Sequence, residues 1–277
     1  MKKLFTIFTL AAVIYSGSAQ VPTDSLIAIS NNVRLADTVR LDALHQLANA
    51  FMRTNPDSCR HYALQYENLA VALKSDDDVA NAYHLIGISH FFQGDLQNST
   101  SALNRSLKFR GEKGDPGKKA ATLNVIGAVY MQQGNHALAM ENYMRCLKLS
   151  EQVGERRGIS ASHHNIGRIY AQQKDLEKAL QHFRKSLETK DTSDLVGISD
   201  EYEVIGSTYA DLGSAELAEE YLLKALELRE RAGNPVRLGM SYSNLGQFYM
   251  KPGTMDKSMD YLHKSLKQAN AVNDPLG

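Results

Sequence analysis

The segment NIGRIYAQQKDLEKA, residues 165–179, is one of five copies of a single pattern in this chain of 277 residues. The other copies are LIGISHFFQGDLQNS (85–99), VIGAVYMQQGNHALA (125–139), VIGSTYADLGSAELA (204–218) and NLGQFYMKPGTMDKS (244–258). Their glycines recur at an interval of about 40 residues, which shortens by one between the third copy and the fourth. A register kept over five copies predicts a repeat protein built from stacked units of one structure.

Three residues recur at fixed positions in these copies. Each copy has a glycine, an aromatic residue or His three positions later, and Ala or Ser twelve positions later. The glycines are Gly87, Gly127, Gly167, Gly206 and Gly246; the aromatic set includes Tyr130, Tyr170, Tyr209 and Tyr249; the small set includes Ala139, Ala179 and Ala218. We interpret the glycine and the small residue as points where two helix backbones approach closely.

Each copy predicts two helices joined by a short turn, because apolar residues recur at helical spacing on both sides of it. The turns are Gly94-Asp95, Gly134-Asn135, Lys174-Asp175, Gly213-Ser214 and Gly253-Thr254. Glycine suits the left-handed residue that ends a helix, and Asp, Asn, Ser or Thr can cap the next one. Lys174 lacks that freedom, so we expect about 1 kcal/mol of strain there. Asp115-Pro116, Asn234-Pro235 and Asp274-Pro275 predict helix starts between units.

A helix pair with these positions resembles the tetratricopeptide repeat (TPR) family, and the spacing of about 40 residues is similar to its longer variety. The resemblance implies an all-α, TPR-type α-solenoid, a right-handed superhelix of antiparallel helix pairs. The chain has no Trp. Where the family often has a large aromatic residue, this sequence has Tyr83, Leu123, His163, Tyr202 and Tyr242.

The predicted organisation follows this register. We expect a signal peptide at 1–19, an arm or short helix at 20–35 and a degenerate first repeat at 36–74. Five repeats then occupy 75–114, 115–154, 155–193, 194–233 and 234–273. Gly277 stands where Gly158 and Gly197 stand nine residues before a signature glycine. Residues 274–277 are therefore expected to begin a further repeat of a longer protein.

The first nineteen residues have the features of an export signal. Lys2 and Lys3 precede an apolar run, and Gly17 and Ala19 lie at the spacing that a signal peptidase recognises. We expect export to the periplasm or to the outer face of the inner membrane of a Gram-negative bacterium. No later stretch is apolar enough to insert in a membrane. The whole arrangement resembles the exported N-terminal TPR region of bacterial membrane-bound signalling proteins.

Charge and motifs exclude several functions. Without Lys2 and Lys3, the chain has 29 basic and 31 acidic residues. This near-neutral net charge argues against nucleic acid as a partner. The loop GEKGDPGKK, residues 111–119, does not have phosphate-loop spacing, and no metal-ligand or catalytic motif occurs. We predict no enzyme activity, cofactor or metal site in this chain. Cys59 and Cys146 belong to distant helix pairs, so we expect two buried thiols and no disulfide.

The resemblance places a partner-binding groove along the first helix of each pair. Its predicted lining, at positions three before and one, four and five after the glycine, includes His84, Phe91, Phe92, Asn124, Met131, Gln132, His164, Arg168, Gln172, Glu203, Gln247 and Met250. This mixed surface fits an extended peptide or a helix of another protein. It lacks the Lys and Asn set with which some relatives hold a carboxylate terminus. The alternative is that the face packs against a missing segment of the protein itself.

Two adjacent histidines test this assignment. Neighbouring residues on a helix point about 100° apart, so His163 and His164 cannot hold one ion between them. His163 falls in the packing series of Tyr83 and Tyr202, and His164 falls in the groove series of His84. We expect His163 to be a packing residue and His164 to be a ligand contact.

Three functions remain open. The first is a non-catalytic exported scaffold or sensor that binds a protein or peptide. The second is the extracytoplasmic input region of a longer signalling protein, with a downstream transmembrane helix and a histidine kinase, cyclase or DNA-binding output. The third is an accessory for assembly of the cell envelope.

Overall fold

The computed structural model describes residues 21–273, in which α-helices are joined by turns and short loops. They are α1 Thr23–Asn31, α2 Asp37–Phe51, α3 Pro56–Ala72, α4 Asp76–Phe92, α5 Leu96–Arg110, α6 Pro116–Gln132, α7 His136–Val153, α8 Arg156–Gln172, α9 Leu176–Thr189, α10 Leu195–Asp211, α11 Ala215–Ala232, α12 Pro235–Phe248 and α13 Met255–Asn273. The predicted signal peptide and the predicted further repeat at 274–277 lie outside the described residues.

The helices form two compact units, residues 21–134 with α1 to α6 and residues 135–273 with α7 to α13. In each unit, short turns make consecutive helices antiparallel. The first unit contains the pairs α2–α3 and α4–α5, and the second contains α8–α9, α10–α11 and α12–α13. The segment predicted as an arm or short helix contains α1, whose Leu26 and Ile29 pack with Ala43 and Leu47 of α2.

The turns inside the pairs use left-handed residues. Gly94 has φ 77° and Gly213 has φ 79°, and Lys174 takes the same conformation with φ 63°. Lys74, which the sequence pattern did not single out, also does so, with φ 55°. A non-glycine residue in the left-handed conformation lowers the free energy of unfolding by about 1 kcal/mol.

Most second helices begin with the expected side-chain cap. Asp95, Asn135 and Asp175 each accept a hydrogen bond from a backbone N–H three residues on. Ser214 was expected to do the same, but its side chain makes no capping bond. The first residues of α11 are exposed, so water can satisfy their N–H groups. At the last turn, Thr254 Oγ1 instead donates to the Tyr249 carbonyl at 2.8 Å.

The signature glycine lies beneath a large side chain of the second helix. A Cβ atom at Gly167 would lie 2.7 Å from the Phe183 ring, and one at Gly206 would lie 2.9 Å from Leu222 Cγ. Phe183 and Leu222 are both buried. Since carbon atoms pack at about 3.5–4.0 Å, only glycine fits these places.

The small residue twelve positions later meets the same glycine. Ser99 Oγ donates to the Gly87 carbonyl at 2.8 Å, and Ser258 Oγ donates to the Gly246 carbonyl at 2.7 Å. Where Ala occurs instead, it is fully buried; Ala139, Ala179 and Ala218 are all 0% exposed. These residues mark the close approach of two helices, as the sequence pattern predicted.

A second contact of this kind joins the other ends of the paired helices. It uses residues seven before and nineteen after the signature glycine. Ser106 Oγ donates to Ala80 O at 2.7 Å and Ser265 Oγ to Gly239 O at 2.8 Å, and Ser186 Oγ lies 3.0 Å from Ser160 O. The pairs are therefore held at two points, and the sequence pattern identified only one.

The first prediction concerns the glycine contact. Gly206→Ala would place a Cβ 3.1 Å from Leu222 N and 3.2 Å from Ala218 O, and these backbone atoms move only with their helix. We expect the free energy of unfolding to fall by about 1–3 kcal/mol, because overpacking outweighs the helix propensity of Ala. Urea denaturation measures this change.

Gly239→Ala is the matched control. Its Cβ would meet Gln268 Cβ at 3.4 Å, which is ordinary contact. This variant should gain about 0.5–1 kcal/mol, since Ala restricts the unfolded chain. Equal stabilisation by both substitutions would show that the glycine contact is not tight.

Candidate functional site

The twelve predicted groove residues divide between the two units. His84, Phe91, Phe92, Asn124, Met131 and Gln132 lie on α4 and α6 of the unit 21–134, and we call them the amino-terminal face. His164, Arg168, Gln172, Glu203, Gln247 and Met250 lie on α8, on α10 and at the carboxyl end of α12, and we call them the carboxy-terminal face.

The position three before the glycine links successive first helices. Three such residues hydrogen-bond to the next first helix of their unit: His84 Nδ1 to Thr122 Oγ1 at 3.1 Å, His164 Nδ1 to Glu201 Oε1 at 3.0 Å, and Glu203 with Asn244. Glu203 also forms an ion pair with the buried Arg229. These side chains were predicted as ligand contacts, but the structure already engages them within the protein.

The environment of His84 keeps its ring neutral. Burial, together with the nearby Arg110 and His45, lowers the pKa of His84 to about 4. A neutral imidazole cannot supply a positive charge to a partner near neutral pH. His84 is therefore a hydrogen-bonding link between α4 and α6.

Two further members of the amino-terminal face are partly buried. Phe91 packs against the cluster of Leu103, Ile126 and Val129. Met131 is half-buried on α6. Phe91 therefore contributes to the core as well as to the surface.

The exposed members are the ones able to meet a partner. Phe92 is 46% exposed and Met250 is 55% exposed. Large apolar side chains are more often buried. Gln132, Arg168, Gln172 and Gln247 are exposed as well. The accessible surface thus offers apolar side chains, amides and one guanidinium.

The adjacent histidines of α8 contact different neighbours, as predicted. His163 is 7% exposed, and its Nδ1 lies 3.0 Å from His182 Nδ1 of α9. The Tyr170 ring lies 5.5 Å from the His182 ring. His164 is directed instead to Glu201 of α10.

Glu201 is a buried carboxylate where the repeat has small residues. It lies five before the signature glycine, and the corresponding residues are Ala82, Thr122, Ser162 and Ser241. Its side chain is 1% exposed. Oε1 accepts from Ser186 Oγ at 2.8 Å and lies 3.0 Å from His164 Nδ1 and 3.4 Å from Lys190 Nζ. Oε2 is buried without a hydrogen-bond partner.

A cavity of about 750 Å³ lies beside this cluster. It is bounded by α8, by the turn after α9 and by α10; its lining includes Arg156, Arg157, Ala161, His164, Lys190 and Asp200. The cavity lies at the carboxyl end of α9, which ends early. The neighbouring second helices, α7 and α11, each have 18 residues, whereas α9 has 14 residues. Since an α-helix rises about 1.5 Å per residue, α9 is about 6 Å shorter.

Arg156 stabilises this early end. Its Nε donates to Thr189 O at 3.0 Å and its guanidinium also contacts Lys190 O at 3.3 Å. A cation at the carboxyl end of a helix satisfies carbonyls that have no partner in the helix. Two signals in the sequence could have indicated this site: the shortened step from Gly167 to Gly206, and the acid at position 201.

Metal-ligand clusters and membrane-spanning helices are absent from the described residues. Among residues 21–273, no three His, Cys, Asp or Glu side chains gather as metal ligands could. In the same part of the chain, no helix is both long and apolar enough to cross a bilayer. Cys59 and Cys146 are buried free thiols, and burial raises the pKa of Cys59 to about 11.

The second prediction concerns pH. Burial lowers the pKa of His163, and burial with the neighbouring His163 lowers the pKa of His182 to about 4. The unfolded value is about 6.5, so the unfolded chain binds more protons between these two values. The free energy of unfolding should therefore fall as the pH drops from about 6.5 to about 4.

His182→Tyr tests this explanation, because Tyr221 and Tyr261 occupy the corresponding position in the next two pairs. The variant should reduce the loss of stability on acidification by on the order of 1 kcal/mol. Urea denaturation at about pH 7.5 and about pH 4.5 measures it. An equal loss in the native chain and the variant would contradict a role of this pair.

Comparisons with known proteins identify the repeats. Residues 118–191 and 202–231 match family models described as tetratricopeptide repeat. Among curated proteins, none matches the sequence significantly.

Several solved structures have a similar fold. BtubC (BKLC) from P. vanneervenii is 20% identical, with a TM-score of 0.66 over 83% of this chain and 92% of that one. A Rap protein complexed with Competence and Sporulation Factor is 13% identical, with a TM-score of 0.70 over 92% and 74%.

A third structure is a STAND protein with a tetratricopeptide repeat sensor from Pyrococcus horikoshii. It is 17% identical, with a TM-score of 0.68 over 91% of this chain and 40% of that one. Such identities establish similarity of fold alone. The chain therefore contains tetratricopeptide repeats, and its fold is an all-α solenoid of paired helices.

Proposed function

We propose that the chain is a non-catalytic, exported TPR scaffold or sensor that binds a protein or peptide on the first helices of its repeats. The observation that carries this proposal is the exposure of mixed side chains there, above all Phe92 and Met250. Repeat solenoids present such surfaces to partners. The Rap protein with a similar fold was crystallised in complex with Competence and Sporulation Factor.

The chemistry of the exposed residues favours an extended peptide. Gln132, Gln172 and Gln247 carry both donors and acceptors, which can pair with the backbone of such a chain. Phe92 and Met250 can bury apolar side chains of the partner, and Met adapts to varied shapes. The hydrogen-bonded His84, His164 and Glu203 then hold the first helices in place beneath the partner.

Export is a part of the proposal that rests on the first nineteen residues alone. Their basic start, apolar run and Ala19 site support passage to the periplasm or to the outer face of the inner membrane. At that location, other proteins of the envelope would be the accessible partners.

The third prediction tests the binding face. Arg168→Ala, Gln172→Ala and Met250→Ala together remove exposed side chains of the carboxy-terminal face. Because none of them is buried, the fold should be unaffected, while recovery of bound proteins from an envelope extract should fall at least about tenfold. Quantitative mass spectrometry of the captured proteins measures it.

The control variant replaces the same three residue types on a second helix instead of a first helix. Arg145→Ala, Gln152→Ala and Met144→Ala change exposed residues of α7, which is a second helix. This variant should keep the native partner list. A list that is unchanged in both triple variants would overturn binding on the first helices.

A second candidate is the input region of a longer signalling protein, and an apolar surface of the last pair favours it. Leu187 and Leu226 lie twenty residues after their glycines and pack against the next first helix, Leu187 with Ile205 and Leu226 with Leu245. The corresponding Leu266 is 59% exposed. Met259 is 53% exposed, whereas Leu180 at the same position is 6% exposed.

This surface fits a helix with the pattern of α10 and α12, which a following repeat would supply. Sequencing the gene beyond codon 277 tests that source. A transmembrane helix followed by kinase, cyclase or DNA-binding motifs supports the input region, whereas an immediate stop codon overturns it.

The fourth prediction compares the two leucines in the 277-residue chain. Leu266→Gln should change the free energy of unfolding by less than about 0.5 kcal/mol, because the side chain is already exposed. Leu226→Gln should cost about 2–4 kcal/mol, because it removes a buried contact and buries an amide. Urea denaturation measures both, and a large cost at Leu266 would show that this surface is already covered.

A further inference from the structure

The pair α4–α5 shows how a repeat can hold a basic residue at the end of its second helix. Arg110 lies twenty-three residues after Gly87, and its side chain is 2% exposed. Its guanidinium contacts Asp77 at 3.1 Å and Asn81 at 2.9 Å, which lie ten and six residues before the same glycine. An acid and an amide of the first helix thus enclose the cation.

The pair α10–α11 repeats part of this arrangement. Arg229 takes the position of Arg110, and Asp200 takes the position of Asn81. Their contact is 2.9 Å, and the Arg229 side chain is 2% exposed. In both pairs, an oxygen six residues before the glycine accepts from the basic side chain.

The pair α8–α9 has a basic residue at the end of its second helix, but its first helix lacks the acid and the amide that hold that residue in α4–α5. At the same three positions it has Arg157 for the acid, Ala161 for the amide and Lys190 for the base. A cation and a methyl group have replaced two hydrogen-bond acceptors. Lys190 turns to Glu201 at 3.4 Å, and the Arg157 guanidinium forms no ion pair or hydrogen bond within residues 21–273.

Because the acid and the amide are missing in α8–α9, an open space remains beside positively charged side chains. Arg157, Ala161 and Lys190 all line the cavity of about 750 Å³. That volume can take a whole amino-acid residue. The cavity is open to solvent at Arg157 and Asp191, which are exposed.

The acidic residues of the lining are already engaged. Asp194 Oδ1 accepts from Gly197 N at 2.8 Å, Asp200 Oδ1 from Arg229 at 2.9 Å, and Asp191 Oδ1 from Ser193 N at 2.8 Å. Asp191 is an exposed residue near Arg156 and Arg157, which, after the Ser193 hydrogen bonds, help to lower its pKa. The uncommitted groups are therefore donors, chiefly the Arg157 guanidinium.

We propose that this cavity binds one carboxylate of a peptide, which takes between Arg157 and Lys190 the position that Asp77 takes beside Arg110. Arg can receive a carboxylate with two parallel hydrogen bonds. A dianion fits less well, because Asp191, Asp194 and Asp200 border the same cavity. This inference rests on the proposed function in that the carboxylate belongs to a bound peptide, as a side chain or as the terminus.

Nuclear magnetic resonance titration of the ¹⁵N-labelled full chain tests the site without any partner. The probes are N-acetylglutamate N-methylamide for a side-chain carboxylate and N-acetylglycine for a terminal one. N-acetylglutamine N-methylamide is the neutral control, and sodium sulfate is the dianion. We expect saturable shifts of the amides of Arg157, Ala161 and Lys190 with a carboxylate only, and the probe that saturates first identifies the source.

Arg157→Asp is the decisive variant. It places an acid where α4–α5 has Asp77. The new carboxylate should form an ion pair with Lys190 in place of the ligand and so abolish the shifts. Arg231→Asp, at an exposed arginine of α11 outside the lining, makes the same charge change and should keep them. If Arg157→Asp does not fold, Arg157→Gln removes the charge alone and should weaken binding at least fivefold.

The outcomes separate this inference from the proposed function. No saturable shift in the native chain, equal shifts with sulfate or the neutral amide, or unchanged binding in Arg157→Gln would overturn the carboxylate site. The envelope capture with the Arg168, Gln172 and Met250 variant reports on the binding face independently. Loss of capture together with a failed titration would leave the proposed function standing and remove only this site.

Discussion

The contact between a first-helix glycine and a large side chain of the second helix is the constraint on which the other contacts of a pair depend. Phe183 over Gly167 and Leu222 over Gly206 occupy the space where a Cβ would be. With the helices this close, serines can donate across to carbonyls, as Ser106 does to Ala80. The close approach also aligns the second helix so that side chains such as Leu226 reach the next first helix.

Each pair packs against its neighbour. The first helices therefore have two roles: some of their side chains bond to the next first helix, and others are exposed to a partner. His164 and Glu203 bond to the next first helix, so they hold the surface in register. Arg168, four positions after His164 on α8, is exposed, and so is Gln247, which takes the same repeat position as Arg168 on α12. A side chain engaged in the structure is not free for a partner. The candidate binding surface is therefore narrower than the register alone suggests.

The repeated positions were predictable from the sequence because they obey one register. That register separated His163 from His164 and placed the glycine contacts. The partner of His163 and the donors that converge on Glu201 were not predictable, because they depend on residues that occur once. For the early end of α9, the shortened step from Gly167 to Gly206 and the acid at position 201 were the only signals. The missing Ser214 cap has a related cause: a capping residue type allows the bond, but exposed N–H groups do not require it.

Departures from the repeat cost stability and therefore indicate where a repeat does more than hold the fold. A small residue at position 201 would pack as Ser162 and Ser241 do, whereas a buried carboxylate must be compensated by donors. Ser186, His164 and Lys190 supply them to Oε1, and Oε2 has none. In the same pair, Arg157 replaces an acid and Ala161 replaces an amide. Arg157, Ala161 and Lys190 line one cavity. A group supplied from outside would complete there the arrangement that Asp77 and Asn81 complete from within in α4–α5.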